Sequence, residues 1–118
     1  MNSQTPVTDE TGEACCSMPV DVAEDTVATD VALLSAMGND TRYEALRIVA
    51  SASDGVCVCE LQPALGVSQG AVSQALSRLH SAGLVSRRKE GRWRYYSVTP
   101  VAVRLLDTLD DVRGGDDE

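Results

Sequence analysis

The stretch Leu65–Val85, LGVSQGAVSQALSRLHSAGLV, decides the fold. Gly66 closes whatever precedes it, and Ser68 is placed to cap a helix running from Gln69 to about Ala82. Within that helix Val72, Ala75, Leu76 and Leu79 make one apolar stripe. At about 100° per residue, Gly70, Gln74, Ser77 and Ser81 point away from the stripe, flanked by Ser73 and Arg78. That face is small, hydrogen-bonding and, Arg78 apart, uncharged, which suits a helix lying in a groove of bases.

Working outward, Cys59 to Leu65 fits a short helix, with Pro63 tolerated in about its first turn. Farther upstream, Val27, Val31, Leu34 and Met37 recur at helical spacing, predicting a helix over 24–37 that stops near Gly38. A second helix follows, carrying Tyr43, Leu46, Val49 and Ala50 on one side; Asn39-Asp40-Thr41 offers several N-caps, and Thr41 with Glu44 is a candidate capping box. It frays at Ser51-Ala52-Ser53, before the turn signal Asp54-Gly55. Downstream, Leu84 to Lys89 and Arg92 to Val98 flank Glu90-Gly91 as a two-stranded hairpin. Thr99-Pro100 opens a last helix with Ala102, Leu105, Leu106, Leu109 and Val112 in its stripe, ended by Gly114-Gly115. The order is helix, helix, short helix, turn, helix, hairpin, helix: a mainly α chain with a short β-hairpin, a winged helix-turn-helix.

Composition supports one small domain. The 118 residues include only four aromatics, Trp93, Tyr43, Tyr95 and Tyr96, so a core shared across a dimer would help. The apolar stripes of the first and last helices exceed what one small core needs and are expected to form a homodimer interface. Acidic residues outnumber basic ones 18 to 10, a balance that points to a salt-rich, halophilic cytoplasm. No run approaches the roughly 18 apolar residues of a membrane span, and no secretory signal opens the chain, so a cytoplasmic protein without a membrane partner is expected.

The charges are sorted. Residues 1–30 hold seven acids and no base, and an acidic arm over 1–23 carries Cys15 and Cys16. Residues 114–118 form an acidic tail, leaving 24–113 as the folded domain. In contrast, Arg78, Arg87, Arg88, Lys89, Arg92 and Arg94 face Glu90 alone between residues 78 and 94. An acidic protein with one cationic stripe presents a single face to polyanions. The backbone near Ser68 is expected to meet a phosphate, and Gln69, Ser73 and Gln74 to reach base edges of double-stranded DNA. Arg78, Arg88, Lys89, Arg92 and Arg94 are expected along the DNA backbone or the minor groove, supplying sequence-independent affinity.

Two thiols stand one residue apart in GVCVCEL, at Cys57 and Cys59. They read as small apolar fillers, as a redox pair, or as ligands for a soft ion. Residues two apart on a helix point about 200° from each other, so one ion could be shared only if Cys57 were non-helical. His80 reads as a polar residue at a helix end, and Asp107, Asp110 and Asp111 as solvent-facing. Enzyme chemistry finds no nucleophile with a histidine partner and no phosphate-binding glycine loop.

Over about residues 31–109 the chain resembles the ArsR-type metalloregulatory repressors. The resemblance lies in MGNDTRYEALRIV, VCVCEL, LGVSQGAVSQALSRLHSAGLV and RRKEGRWRYYSV, in that order. It implies a dimeric repressor on operator DNA, released when arsenite, antimonite or another soft ion binds cysteine. It implies Cys57 and Cys59 as ligands, although Gln62 stands where the best-known arsenite pattern has a further cysteine. Cys15 or Cys16 would then complete the site. The alternatives are a thiol-redox regulator and an interaction module without duplex affinity.

Overall fold

The computed structural model describes residues 22–117, so Cys15, Cys16 and the acidic arm up to residue 21 lie outside the described residues, as does Glu118 at the end of the tail. Among the described residues five helices and three short strands follow in the order α1 (Glu24–Met37), α2 (Asp40–Ser51), β1 (Val56–Cys57), α3 (Val58–Leu65), α4 (Gln69–Ser81), β2 (Val85–Glu90), β3 (Trp93–Val98) and α5 (Pro100–Asp117). The strands form one antiparallel sheet in the order β1-β3-β2.

The local signals act mostly where they were read. Ser68 caps α4, its Oγ accepting the Ala71 N–H at 3.1 Å. The stripe Val72, Ala75, Leu76 and Leu79 is buried, and its neighbours in the core are Leu46, Val49, Leu61 and Leu84. Burying each such side chain stabilises the fold by about 1.5–3 kcal/mol. This core clamps α4 against α2 and α3, so its polar face is held outward on a rigid support.

Several boundaries differ from the sequence reading. The capping-box reading of Thr41 and Glu44 gives way to Asn39, another of the caps read at Asn39-Asp40-Thr41, whose Oδ1 accepts the Arg42 N–H at 3.0 Å. Arg42 then turns back and donates to the carbonyls of Ala36 and Ser35, satisfying the end of α1. Helix α3 begins one residue earlier than expected, at Val58, which puts Pro63 in its second turn. Proline has no N–H, so the Cys59 carbonyl loses its helical donor there.

The hairpin loop is Gly91-Arg92, one residue later than Glu90-Gly91, because Glu90 pairs with Trp93. Gly91 carries the positive φ of 63° that this tight turn demands. The third strand was not expected. Two residues are too short to show a period-two pattern, yet Val56 pairs with Tyr96 and Cys57 with Tyr95. Gly55 permits this approach: a Cβ there would lie 3.0 Å from Ser97 Oγ and 3.2 Å from the Tyr96 carbonyl.

Helix α5 runs to Asp117, past the glycine pair expected to stop it. Gly114 does not adopt a left-handed conformation, and glycine within a helix costs only about 1 kcal/mol relative to alanine. Ala102 and Leu106 of α5 are buried, while Leu109 and Val112 are exposed. On α1, Met37 is buried but Val27, Val31 and Leu34 are exposed, Leu34 by 63%. Each of these two helices thus keeps an apolar face uncovered within the single chain.

Candidate metal and nucleic-acid site

The two thiols owe their arrangement to the junction of β1 and α3. Cys57 ends the strand with extended φ and ψ of -85° and 151°, and Cys59 is the second residue of the helix. The change of conformation between them removes the 200° divergence of a regular helix. Their sulfurs lie 2.6 Å apart, on one side of the chain, and both are free thiols. Cys57 is buried and Cys59 exposed.

Cys57 also caps α3. Its Sγ accepts the Cys59 N–H at 3.3 Å, while Glu60 Oε1 accepts the Cys57 N–H at 3.0 Å, a capping box built on sulfur. Sequence reading missed this role, although the spacing Cys-x-x-Glu carries its signal. The hydrogen bond to Cys57 holds the Cys59 thiol above its ordinary pKa, and local desolvation and the charges of Cys57 and Glu60 act in the same direction.

An open cleft of about 710 Å³ lies beside the thiols. Cys57, Val58 and Cys59 form one wall, Gln69 and Ser73 on the first turns of α4 a second, and Lys89, Gly91, Arg92, Trp93 and Arg94 of the hairpin tip a third. Seven of the predicted site residues therefore meet in one place. Trp93, half exposed, joins them without having been singled out in the sequence; its position beside the hairpin turn was the available signal.

The remaining predicted residues lie elsewhere. Gln74 and Arg78 line a separate shallow depression with Asn39, Thr41 and Arg42. Ser68 is exposed at the helix start, engaged as the cap. Arg88 alternates to the opposite face from Lys89, since successive strand residues point to opposite sides of a sheet. There it pairs with Glu90 at 2.9 Å, donates to the Asp54 carbonyl at 3.3 Å and lies over the Tyr95 ring at 5.1 Å. Lys89 faces Arg94 directly across the strands, so the tip concentrates like charges.

Among the described residues no group of three or more histidine, cysteine or carboxylate side chains converges. The two sulfurs suit a soft ion, and any further sulfur ligand must come from outside those residues. Asp107, Asp110 and Asp111 are exposed, as the sequence suggested, and Asp110 has a partner as well. It meets Arg47 of α2, whose Nη2 lies 2.9 Å from Oδ1 out of hydrogen-bonding alignment while Nη1 donates to Oδ2 at 3.3 Å. Arg47 also donates to the Tyr43 hydroxyl at 2.8 Å, and Arg113 pairs with the same carboxylate. Arg47 holds the Asp110 carboxyl below its ordinary range. No described helix is long and apolar enough to cross a membrane.

Comparison with known proteins places this geometry in context. Residues 39–87 match the family described as bacterial regulatory protein, arsR family. The chain is 63% identical over 105 residues to a putative arsenical resistance operon repressor, ArsR2, of Halobacterium salinarum, covering 89% of this chain and 88% of the relative. A second putative arsenical resistance operon repressor of Halobacterium salinarum, ArsR, is 49% identical, over 71% of this chain and 65% of its own length. The fold superposes with a TM-score of 0.70 on the homodimeric winged helix-turn-helix DNA-binding domain of Mb0332 from Mycobacterium bovis, at 24% identity, covering 82% of this chain and 91% of that one. With the capped recognition helix, the cationic wing and a relative 63% identical along most of its length, the chain belongs to the arsR family of transcriptional regulators.

Proposed function

We propose that this protein is a cytoplasmic, homodimeric repressor that leaves its operator when a soft metal or metalloid, arsenite or antimonite above all, binds Cys57 and Cys59. The observation that carries this reading is that both thiols line the same cleft as Gln69 and Ser73 of the recognition helix. The names of the Halobacterium salinarum relatives support the arsenical effector. Cys15 or Cys16 supplies a further sulfur, within one subunit or across the dimer.

On DNA, Gln69, Ser73 and Gln74 read base edges, and the α4 N-terminus at Ser68 meets a phosphate. Arg78, Lys89, Arg92 and Arg94 neutralise backbone charge. Arg88, held by Glu90, Asp54 and Tyr95, braces the wing. Val27, Val31 and Leu34 of α1, with Leu109 and Val112 of α5, cover one another in the dimer.

Ion binding acts through the Cys57 cap. Drawing that sulfur toward an ion weakens its bond to the Cys59 N–H and loosens the first turn of α3, which packs on α4. The loss of operator affinity is at least some 5- to 150-fold, a coupling of about 1–3 kcal/mol or more.

The adjacency of the two free thiols favours one second reading, in which an oxidant releases the repressor by oxidising the same pair. A gel shift with upstream DNA at high salt decides the matter, using arsenite, antimonite, cadmium and a separate oxidant. Release by arsenite under reducing conditions is expected. Release by the oxidant alone would establish the redox reading, and no retardation at all would refute both.

A further inference from the structure

The cleft beside the thiols has three walls, and two of them consist of residues assigned above to DNA. Its lining includes three cations, Lys89, Arg92 and Arg94, and no carboxylate. A polyanion bridging from the start of α4 to the hairpin tip therefore crosses the mouth of the cleft. Cys59 is the exposed member of the thiol pair and Cys57 the buried one, and both line that cleft.

From this we infer that duplex DNA and the soft ion are mutually exclusive occupants of one cleft, so that the ion captures free repressor and does not attack the DNA-bound form. The inference rests on the function proposed above and adds the order of events. A duplex across the mouth closes the solvent route to Cys59. In the opposite direction, an ion held by the two sulfurs occupies space beside Gln69 and Ser73 that a groove edge would fill. Derepression then waits for spontaneous dissociation, and the ion prevents rebinding.

Two measurements on the full-length protein test this, with a labelled duplex selected by the protein from a random pool and with arsenite as the ion. In stopped-flow release, the rate should level off at the dissociation rate measured by chase with unlabelled duplex, within about twofold. In parallel, iodoacetamide labelling of Cys59, read by peptide mass, should slow by at least about tenfold under saturating duplex. A release rate that climbs with arsenite well beyond the chase rate would overturn the exclusion, as would equal labelling with and without DNA. Failure to select any duplex, or duplex binding untouched by arsenite, would instead overturn the proposed function and this inference with it.

Discussion

Replacing Cys57 separates the two roles the structure gives it. Its sulfur caps α3 by accepting the Cys59 N–H at 3.3 Å, and it sits 2.6 Å from the partner thiol. Serine keeps an acceptor at the cap and leaves Glu60 bonded to the backbone N–H; alanine keeps only the second half of the box. Loss of an N-cap acceptor costs about 0.5–2 kcal/mol, and a sulfur acceptor belongs near the lower end, so Cys57→Ala should destabilise by about 1 kcal/mol. For a domain of this size that lowers Tm by about 4–8 °C, whereas Cys57→Ser should stay within a few degrees of the parent. Oxygen is a poor ligand for a soft ion, so both variants should lose arsenite-induced release while the serine form keeps operator affinity. Thermal unfolding by circular dichroism, paired with fluorescence anisotropy on operator DNA with and without arsenite, reads both quantities. Equal destabilisation by serine and alanine would refute the cap, and release surviving in the serine variant would refute the ligand assignment.

Other expectations follow from the same coordinates. Because Cys59 is held protonated above its ordinary range, a divalent ion such as cadmium must displace that proton, and its apparent affinity should rise about tenfold per pH unit through neutrality from this thiol alone. Arsenite sheds hydroxyl groups that leave with the thiol protons as water, so its titration over the same range should be nearly flat; a steep arsenite profile would count against thiol coordination. Lys89→Ala or Arg92→Ala should weaken binding to every duplex alike and reduce the salt slope by about 1, while Gln74→Ala should change preference among duplexes, as competitive binding assays would reveal. Leu34→Glu, on the exposed face of α1, should halve the mass seen by sedimentation and reduce operator affinity; an unchanged dimer would remove α1 from the interface. The Arg47–Asp110 pair links α2 to α5, and Asp110→Asn should lower stability only slightly at low salt and less at high salt. Since Asp110 has a lowered pKa, its contribution is complete at neutral pH and fades as pH falls through the acidic range, which acid unfolding of parent and variant would compare.

Salt bears on how this protein holds DNA. At about 1 M the Debye length is only about 3 Å, so the Lys89, Arg92 and Arg94 cluster loses much of its reach. Under the proposed function, hydrogen bonds from Gln69, Ser73 and Gln74 would then carry more of the affinity than in dilute buffer. The bias to acidic residues accords with the Halobacterium salinarum relatives.

The residues by themselves determined the helices and their order, because helix periodicity and capping are local: the stripe Val72, Ala75, Leu76 and Leu79 could serve only one buried face, and Ser68 could cap only the helix that follows it. The need for a non-helical Cys57 was legible in the same way, from the 200° between positions two apart. The two-residue strand at Val56 was settled by a pairing partner distant in sequence, and the one-residue shift of the hairpin turn by the register of β2 against β3. Only tertiary structure brought Cys57 and Cys59 against Gln69, Ser73 and the wing tip, and turned Arg88 away from Lys89. The physical reason is that the cleft is formed where three elements meet, and no local pattern encodes how β3 lays itself between β1 and β2.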